Sequence, residues 1–202
     1  RTACAAISAV PFAENFDSYG NGTSIMPSCW VRTTTYADRP YVNTGGRNST
    51  NCLYFYAGTA GTYNFAVMPP IDINTIPINT LKMKFYYKNN NSSDKLVIGA
   101  MSDPTLASTF DSIATIIAPT TGTWAEYEVN LNTYAGTNQY LAFKNAYTTT
   151  GAYAYVDDLI IDIIPSCESP DSMYAANVTQ TDANIHFTPA LTTDAQWKLY
   201  YR

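Results

Sequence analysis

The sequence predicts an all-β protein, an antiparallel β-sandwich of the jelly-roll type. Tyr and Thr fit pleated, half-buried surfaces, and Tyr alone supplies 17 of the 202 residues. The strong helix formers never accumulate in a run long enough for a stable helix, so we expect almost no helix. Short alternating segments instead follow one another between turns, a pattern typical of antiparallel sandwiches.

The alternation predicts the strands in chain order. The clearest strand covers 81–88, where Leu, Met, Phe and Tyr on one face alternate with Lys and Tyr on the other. The turn 89–94 ends it, and 95–101 is expected to return from that turn. Earlier, 53–57 and 62–68 flank a Gly-Thr-Ala-Gly segment and predict a hairpin. Later strands are predicted over 112–117, 125–131, 140–144 and 152–163.

A proline-bracketed linker at 165–170 predicts two units, 1–164 and 165–202. The second unit begins with a strand, a turn and a strand over 177–189, and a third strand is predicted over 195–202. These segments resemble the opening of a fibronectin type III domain, with Phe187 where that family usually places a core tryptophan. Such a domain needs about seven strands, so we expect an incomplete fibronectin type III-like β unit.

Composition and charge exclude several classes of function. The formal net charge is −5 and the basic residues form no stripe, which argues against nucleic acid or another polyanion as a partner. No stretch approaches the roughly 20 apolar residues of a membrane span. Neither a nucleophile elbow nor a phosphate-binding loop occurs, and the single histidine, His186, is expected to face solvent on a strand. A glycosidase pair of Glu126 and Glu128 would project from one exposed face, so we predict that the chain is not an enzyme.

Four cysteines without a CxxC pair, beside one histidine, make a structural zinc site very improbable. They allow three disulfide connectivities, or none if they are buried as small hydrophobic residues. We favour Cys29 with Cys52, and Cys4 with Cys167, because the second pair flanks the first and last strands of the sandwich. Two bridges would imply an oxidising compartment.

Two acidic segments lie at the ends of the first unit, at 11–17 and 153–161. The first and last strands of a jelly roll lie side by side, so carboxylates on them can converge on a hard cation such as calcium. A cation would also relieve the repulsion of two adjacent aspartates within an apolar strand. The alternative is that one aspartate faces solvent and the other caps a loop. The candidate ligands are Glu14, Asp17, Asp157 and Asp158.

Carbohydrate binding requires exposed aromatic rings that stack on sugar faces. The loop tyrosines Tyr36, Tyr41 and Tyr147 are the candidates, and the alternative for each is an amphipathic ring that covers nearby apolar surface. Trp30 and Trp124 are expected in the core, because tryptophan buries a large area.

Five short motifs follow one another along the first 165 or so residues. They are, in order, Pro11-Phe-Ala-Glu-Asn-Phe-Asp17, Ile25-Met-Pro-Ser-Cys-Trp30, Arg47-Asn-Ser-Thr-Asn-Cys-Leu-Tyr-Phe55, Thr123-Trp-Ala-Glu-Tyr-Glu-Val129 and Tyr155-Val-Asp-Asp-Leu-Ile160. With these motifs the segment resembles the MAM-like jelly-roll modules of bacterial surface proteins, a group that includes the cleaved-adhesin domains of gingipain-type proteins. The resemblance implies adhesion or glycan binding, and a calcium ion that bridges Glu14 and Asp157, with Asp17 and Asp158 in reserve. A following fibronectin type III domain is typical of Bacteroidetes surface and secreted proteins.

The predicted function is therefore a non-catalytic, calcium-stabilised carbohydrate-binding or adhesion module of a secreted or cell-surface bacterial protein. Its expected partners are a polysaccharide or a surface glycoprotein, together with other domains of a larger parent chain. The alternative is a structural spacer beside a catalytic protease or glycosidase domain. Burial of Tyr36, Tyr41 and Tyr147 would favour the spacer.

Overall fold

A computed structural model describes residues 4–35, 39–92, 94–118, 121–147, 150–165 and 172–188. The chain divides into two compact units, Arg1–Ile164 and Pro165–Arg202. The described residues form strands and short 3₁₀ turns without an α-helix, which confirms the all-β fold class. Nor does this described part include a helix with the length and apolar composition that crossing a membrane requires.

The first unit contains eleven described strands and the second contains two. In the first unit they are β1 (Phe12–Glu14), β2 (Val31–Thr34), β3 (Tyr41–Thr44), β4 (Asn51–Ala57), β5 (Tyr63–Val67), β6 (Leu81–Asn89), β7 (Lys95–Met101), β8 (Phe110–Ile116), β9 (Ala125–Asn130), β10 (Tyr140–Ala146) and β11 (Ala152–Ile163), and in the second they are β12 (Ser172–Ala176) and β13 (Asn184–Thr188). The strands of the first unit form two sheets. One has the strand order β3-β4-β11-β6-β9 with β1 beside β11, and the other has the order β2-β5-β10-β7-β8.

The first and last strands of this unit pair as expected. β1 runs antiparallel to β11, with Glu14 opposite Leu159. The two acidic segments of the sequence therefore meet at one place in the first sheet.

The core lies between the two sheets. Alternate residues of β6 point inward and are fully buried, as the periodicity predicts. Phe85 of the first sheet meets Phe143 of the second edge to face, with ring centroids 5.1 Å apart. Burial of each such ring contributes about 1.5–3 kcal/mol, so this interior accounts for the stability of the unit.

Two predicted strand pairings are wrong. Segments 53–57 and 62–68 do not form a hairpin, because β4 belongs to the first sheet and β5 to the second. β6 likewise belongs to the first sheet and β7 to the second, so the turn at 89–94 does not connect paired strands. In a jelly roll many connections cross from one sheet to the other, and turn residues mark such a corner without indicating which sheet the next strand joins.

The disulfide also differs from the prediction. Cys4 is bonded to Cys29, with Cα atoms 5.6 Å apart, so the favoured pairs Cys29–Cys52 and Cys4–Cys167 are wrong. Cys52 is a fully buried free thiol on β4, and its Sγ lies 3.6 Å from the Asn43 carbonyl oxygen. Cys167 lies outside the described residues. An even number of cysteines does not specify which of them pair. Here the partner of Cys29 is Cys4, which lies in the N-terminal segment before the first strand.

The second unit contains an antiparallel hairpin of β12 and β13. The predicted strand from 177 is wrong, since the first strand ends at Ala176, and the predicted strand 195–202 lies outside the described residues. His186 is solvent-exposed as expected, and its ring stacks on Tyr174 at 5.1 Å. The fibronectin type III assignment stays a prediction.

Candidate functional site

The outer face of the first sheet carries a continuous patch of aromatic rings. In β4 and β11 successive residues point alternately toward and away from the core, and tyrosines occupy two neighbouring outward positions in each strand. Phe55 and Ala154, which lie between them, are fully buried. We call this patch the aromatic face, and its members are Tyr41, Tyr54, Tyr56, Trp124, Tyr153 and Tyr155.

Strand register aligns part of this face into a row across the sheet. Tyr41 of β3 lies opposite Tyr54 of β4, and Tyr54 lies opposite Tyr155 of β11. Tyr155 in turn lies opposite Lys88 of β6, and Trp124 immediately precedes β9 on the far side. Neighbouring ring centroids are 5.3 Å apart for Tyr41 and Tyr54, 5.1 Å for Tyr54 and Tyr155, and 6.1 Å for Tyr155 and Trp124.

Two further tyrosines widen the row. Tyr153 lies 5.5 Å from Tyr155, and Tyr56 lies 6.4 Å from Tyr54, measured between ring centroids. Tyr153 is 36% exposed, and most of the other rings are half-buried against each other. The rings therefore hold one another in place while they leave part of their surface open to solvent.

Burial and neighbouring rings keep the phenols of Tyr54 and Tyr155 neutral. The pKa of Tyr54 is raised above its usual value of 10, first by desolvation and then by Tyr155 and Tyr41. Desolvation likewise raises the pKa of Tyr155. Neutral phenol groups both donate and accept hydrogen bonds, so the face combines apolar ring surface with polar tips.

Two cations flank the rings. The Arg39 guanidinium lies 4.7 Å from the ring centroid of Tyr41 and 5.7 Å from that of Tyr56. Lys88 Nζ lies 4.5 Å from the centroid of Tyr155 and 4.6 Å from that of Trp124. Such cation–π contacts stabilise the face and place positive charge on it.

Asp157 occupies the same sheet face, one row further along β11, beneath a loop. It is 1% exposed, and its Oδ2 accepts a hydrogen bond of 2.7 Å from the Arg47 backbone N–H. A Cβ on Gly46 would lie 2.8 Å from the same oxygen, so the loop passes too close for a larger residue. A register shift in β11 after Asp157 accommodates Asp158, whose φ is 49°.

The environment of Asp157 disfavours its charge. Its pKa is raised from 3.8 to about 6, first by desolvation, against the backbone hydrogen bonds from Arg47 and Asp158, and with added repulsion from Asp158 and Asp17. Asp17 is held near the start of β4, where its Oδ1 accepts a hydrogen bond of 3.0 Å from the Asn51 backbone N–H. Three of the four predicted metal ligands therefore influence one another electrostatically.

Glu14 and Asp158 each have ordinary protein partners. Glu14 accepts hydrogen bonds from the Phe16 backbone N–H at 2.8 Å and from the Tyr19 hydroxyl at 2.9 Å. Asp158 forms an exposed ion pair of 2.8 Å with Arg47. Within the described part of the chain, no group of three or more acidic, cysteine or histidine side chains is assembled for a metal ion. A cation here would need backbone carbonyl and amide oxygens as additional ligands, which is the donor set that calcium accepts.

Two of the three predicted loop tyrosines, Tyr41 and Tyr147, are buried and not exposed as the sequence suggested. Tyr41 begins β3 and is 8% exposed, although it belongs to the aromatic face. Tyr147 is 3% exposed, and its hydroxyl accepts a hydrogen bond of 3.2 Å from Asn64 Nδ2 in the interior, so it cannot stack on a sugar. Tyr36 lies outside the described residues. Trp30 is buried as expected, whereas Trp124 is half-buried on the outer face and not in the core.

Apart from Tyr41, the rings that form the face were not identified from the sequence as site residues. A signal was present, because the segments Leu-Tyr-Phe-Tyr-Ala at 53–57 and Ala-Tyr-Ala-Tyr-Val at 152–156 place tyrosine at every second position of two strands. Alternation indicates that these tyrosines share a face of each strand. It does not indicate that the two strands are neighbours, and that information came with the topology.

Comparison with solved structures identifies the fold. The first unit is similar to three cleaved-adhesin domains of Lys-gingipain, two of them described as from Porphyromonas gingivalis. The K1 domain is 19% identical with a TM-score of 0.57, over 78% of this chain and all of that domain. The K2 domain is 17% identical at 0.59, over 76% and 100%, and the K3 domain is 18% identical at 0.55, over 76% and 97%. No family model and no curated protein matches the sequence. The chain thus has a cleaved-adhesin-like β-sandwich fold, which agrees with the fold that the resemblance implied.

Proposed function

We propose that the chain is a non-catalytic binding module of a secreted or cell-surface protein, and that the aromatic face is its carbohydrate-binding surface. The observation that carries the proposal is a patch of six neighbouring aromatic rings, left partly open on the outer face of a sheet. Single exposed aromatic residues need no explanation, but a contiguous patch indicates an interaction site.

The face suits a sugar chain on physical grounds. The apolar C–H surface of a pyranose packs on an aromatic ring, and its hydroxyls pair with phenol groups and other polar side chains. Strands lie about 4.8 Å apart, so the five-strand row from Tyr41 to Trp124 spans about 19 Å. That length accommodates several consecutive sugar residues of a polysaccharide or of a glycoprotein glycan.

Binding without catalysis is supported by the state of the reactive groups. Cys29 is bonded to Cys4, and burial foremost raises the pKa of Cys52 to about 12, which leaves no thiolate at neutral pH. Glu126 pairs with Lys84 at 3.2 Å and Glu128 with Lys82 at 3.1 Å. A hydrogen bond from Tyr86 and a second from Lys84 lower the pKa of Glu126, which is the wrong direction for a general acid.

A glycan array followed by calorimetric titration tests the proposal. Trp124→Ala and Tyr155→Ala should each abolish or strongly weaken binding. Tyr174→Ala is the matched control, because Tyr174 is 59% exposed but belongs to the second unit. If no glycan binds, or if the three variants behave alike, the aromatic face is not a carbohydrate site.

We further propose that calcium stabilises the end of this face at Asp157. The resemblance names Glu14 and Asp157, whereas the contacts favour Asp17 as the second carboxylate. A buried aspartate with a raised pKa and two like charges near it gains from a bound cation. The arrangement also agrees with the simpler interpretation, in which Asp158 faces solvent and Asp157 caps the loop. Calcium-dependent thermal unfolding of chelator-treated protein, with Asp157→Asn and Asp17→Asn, decides between the two.

The structural spacer is the second candidate. Burial of Tyr41 and Tyr147 favours it, because exposed rings at those positions were the feature expected of a binding loop. A spacer predicts that Trp124→Ala and Tyr155→Ala change nothing but stability, and that the module binds no member of the array.

A further inference from the structure

The aromatic face contains one cation whose surroundings differ from those of its neighbours along the same strand. Lys82, Lys84 and Lys88 all project from the outer face of β6. Lys82 pairs with Glu128 and Lys84 with Glu126 on the adjacent strand β9. Lys88 instead lies beside Trp124, which immediately precedes β9, and its Nζ contacts the tryptophan ring. Among the described residues, no carboxylate lies within ion-pair distance of Lys88.

Lys88 is fixed in the middle of the row. Its Nζ lies at nearly equal distances from the rings of Tyr155 and Trp124, and it donates a long hydrogen bond of 3.4 Å to the Gly45 carbonyl oxygen. An ammonium group has three N–H donors, and one carbonyl with two ring faces satisfies it incompletely. The group is therefore positioned to accept an anionic partner at the surface.

Nearby carboxylates do not cancel this charge. Asp157 is buried beneath the loop that contains Gly46 and Arg47 and does not reach the surface of the row. Asp158 is neutralised by Arg47, whose guanidinium carbon also lies 3.7 Å from the ring centroid of Tyr86. The surface around Lys88 is thus neutral and aromatic with a single positive charge, in a chain whose net charge is −5.

We propose that the aromatic face selects a glycan with an isolated carboxylated sugar, which stacks on Tyr155 or Trp124 and places its carboxylate on Lys88. This inference rests on the proposed carbohydrate-binding function. A carboxylate on a pyranose projects from the edge of the sugar ring, and Lys88 Nζ lies 4.5 Å and 4.6 Å from the centroids of Tyr155 and Trp124, within reach of a sugar that packs beside it on either ring. The overall negative charge of the chain repels a densely charged polymer, so the acidic sugar should be sparse.

The test compares defined oligosaccharides that differ by one carboxylate. Sialyllactose is titrated against lactose, and a glucuronate-substituted xylo-oligosaccharide against the unsubstituted one, which separates the two common sources of a sugar carboxylate. Polygalacturonate provides the densely charged comparison. The acidic member of at least one pair should bind about five- to tenfold more tightly than its neutral counterpart, and this preference should decrease with salt.

Lys88→Met keeps the aliphatic stem and removes the charge, so it should abolish the preference of the module for the acidic over the neutral sugar. Lys88→Arg should retain it. Lys144→Met is the matched control, because Lys144 also lies over aromatic rings, at 5.5 Å from the centroids of Phe65 and Phe110, but on the other sheet.

The outcomes separate the two proposals. Equal binding of acidic and neutral sugars that Trp124→Ala abolishes would overturn the acidic preference and leave the carbohydrate site intact. A preference that survives in Lys88→Met, or tightest binding by polygalacturonate, also contradicts the inference. If no sugar binds and Trp124→Ala has no effect, the carbohydrate-binding function itself fails. Equal thermal midpoints of wild type and variants exclude misfolding as the cause.

Discussion

Each of the two sheets carries a lysine over aromatic rings on its outer face, but these rings are partly exposed on the first sheet and covered on the second. On the first sheet, Lys88 lies over Tyr155 and Trp124, and the rings remain partly open. On the second sheet, Lys144 lies over Phe65 and Phe110 at similar distances, but Phe65 is 1% exposed. A ring and a lysine on an outer sheet position therefore do not identify a site.

The difference arises from a covering segment. After β7 the chain folds back across the second sheet, and the Pro104 carbonyl oxygen accepts a hydrogen bond of 2.7 Å from the Thr33 hydroxyl. Ala107, in the 3₁₀ turn Ala107–Thr109, packs with Phe110 on a small second core. That core is made of Phe65, Val67, Met101 and Ala142. The second face thus contributes to stability, and the first remains available for a ligand.

The largest expected effect is on the covered face. Phe65→Ala should lower the free energy of unfolding by about 3–5 kcal/mol, because it leaves a cavity among fully buried neighbours. Tyr155→Ala should cost less, about 2 kcal/mol, since its removal loses the contacts with Tyr54, Tyr153 and Trp124 but little buried area, because the ring is half-exposed. Urea titration of both variants measures the contrast. Equal losses would mean that the two faces are packed alike.

The buried end of the first face should respond to pH. In the absence of calcium, the native state binds the Asp157 proton more tightly than the unfolded chain does, because the pKa rises from 3.8 to about 6. This contribution favours folding below about pH 4 and is lost as the pH rises to about 6, on the order of 2 kcal/mol. Asp157→Asn should remove this pH dependence from denaturant titrations. Asp158→Asn, its exposed neighbour, is the control and should leave most of this dependence in place, because desolvation is the largest cause of the raised pKa and repulsion from Asp158 only adds to it.

Calcium should reverse that trend if it binds at Asp157. At about 100 times its dissociation constant, an ion that binds only the native state adds about 2.7 kcal/mol. The gain should be largest near pH 7, where the carboxylate is ionised, and should disappear near pH 4. A stabilisation that persists in Asp157→Asn would place the ion elsewhere.

Loss of a stacking ring should have its main effect on binding. Trp124→Ala should weaken glycan affinity by roughly 2 kcal/mol, about thirtyfold, as expected when a central aromatic anchor is removed. Phe110→Ala, on the second face, should leave affinity unchanged. Titration of both variants with the best ligand from the array checks this. Similar losses would show that binding depends on the stability of the sandwich and not on the first face.

The sequence predicts the positions of the strands better than it predicts which strands pair. Alternation located β6, β7 and β11 within a residue or two, because each pattern is local. It could not place β4 beside β11, which depends on contacts about 100 residues apart in the chain. The aromatic face follows from that pairing, so the tyrosines of β4 and β11 were visible as strand residues and not as a site. The sequence did bring the two acidic segments together, because the first and last strands of a jelly roll are neighbours. The role of Asp157 as a calcium ligand stays a prediction.

The smallest expected effects distinguish Tyr147, which is buried in the core, from Tyr153, which belongs to the aromatic face. Tyr147→Phe removes a hydroxyl that accepts a hydrogen bond from Asn64 Nδ2, so the free energy of unfolding should fall by about 1 kcal/mol while glycan affinity stays unchanged. Tyr153→Phe removes a hydroxyl from a ring that is 36% exposed on the first face, and should affect affinity and not stability. Paired calorimetry and denaturant titration measure both quantities. If Tyr147→Phe weakens binding as much as Tyr153→Phe does, the ligand contacts the end of the sandwich near Asn64, and the boundary drawn here between core and binding surface is wrong.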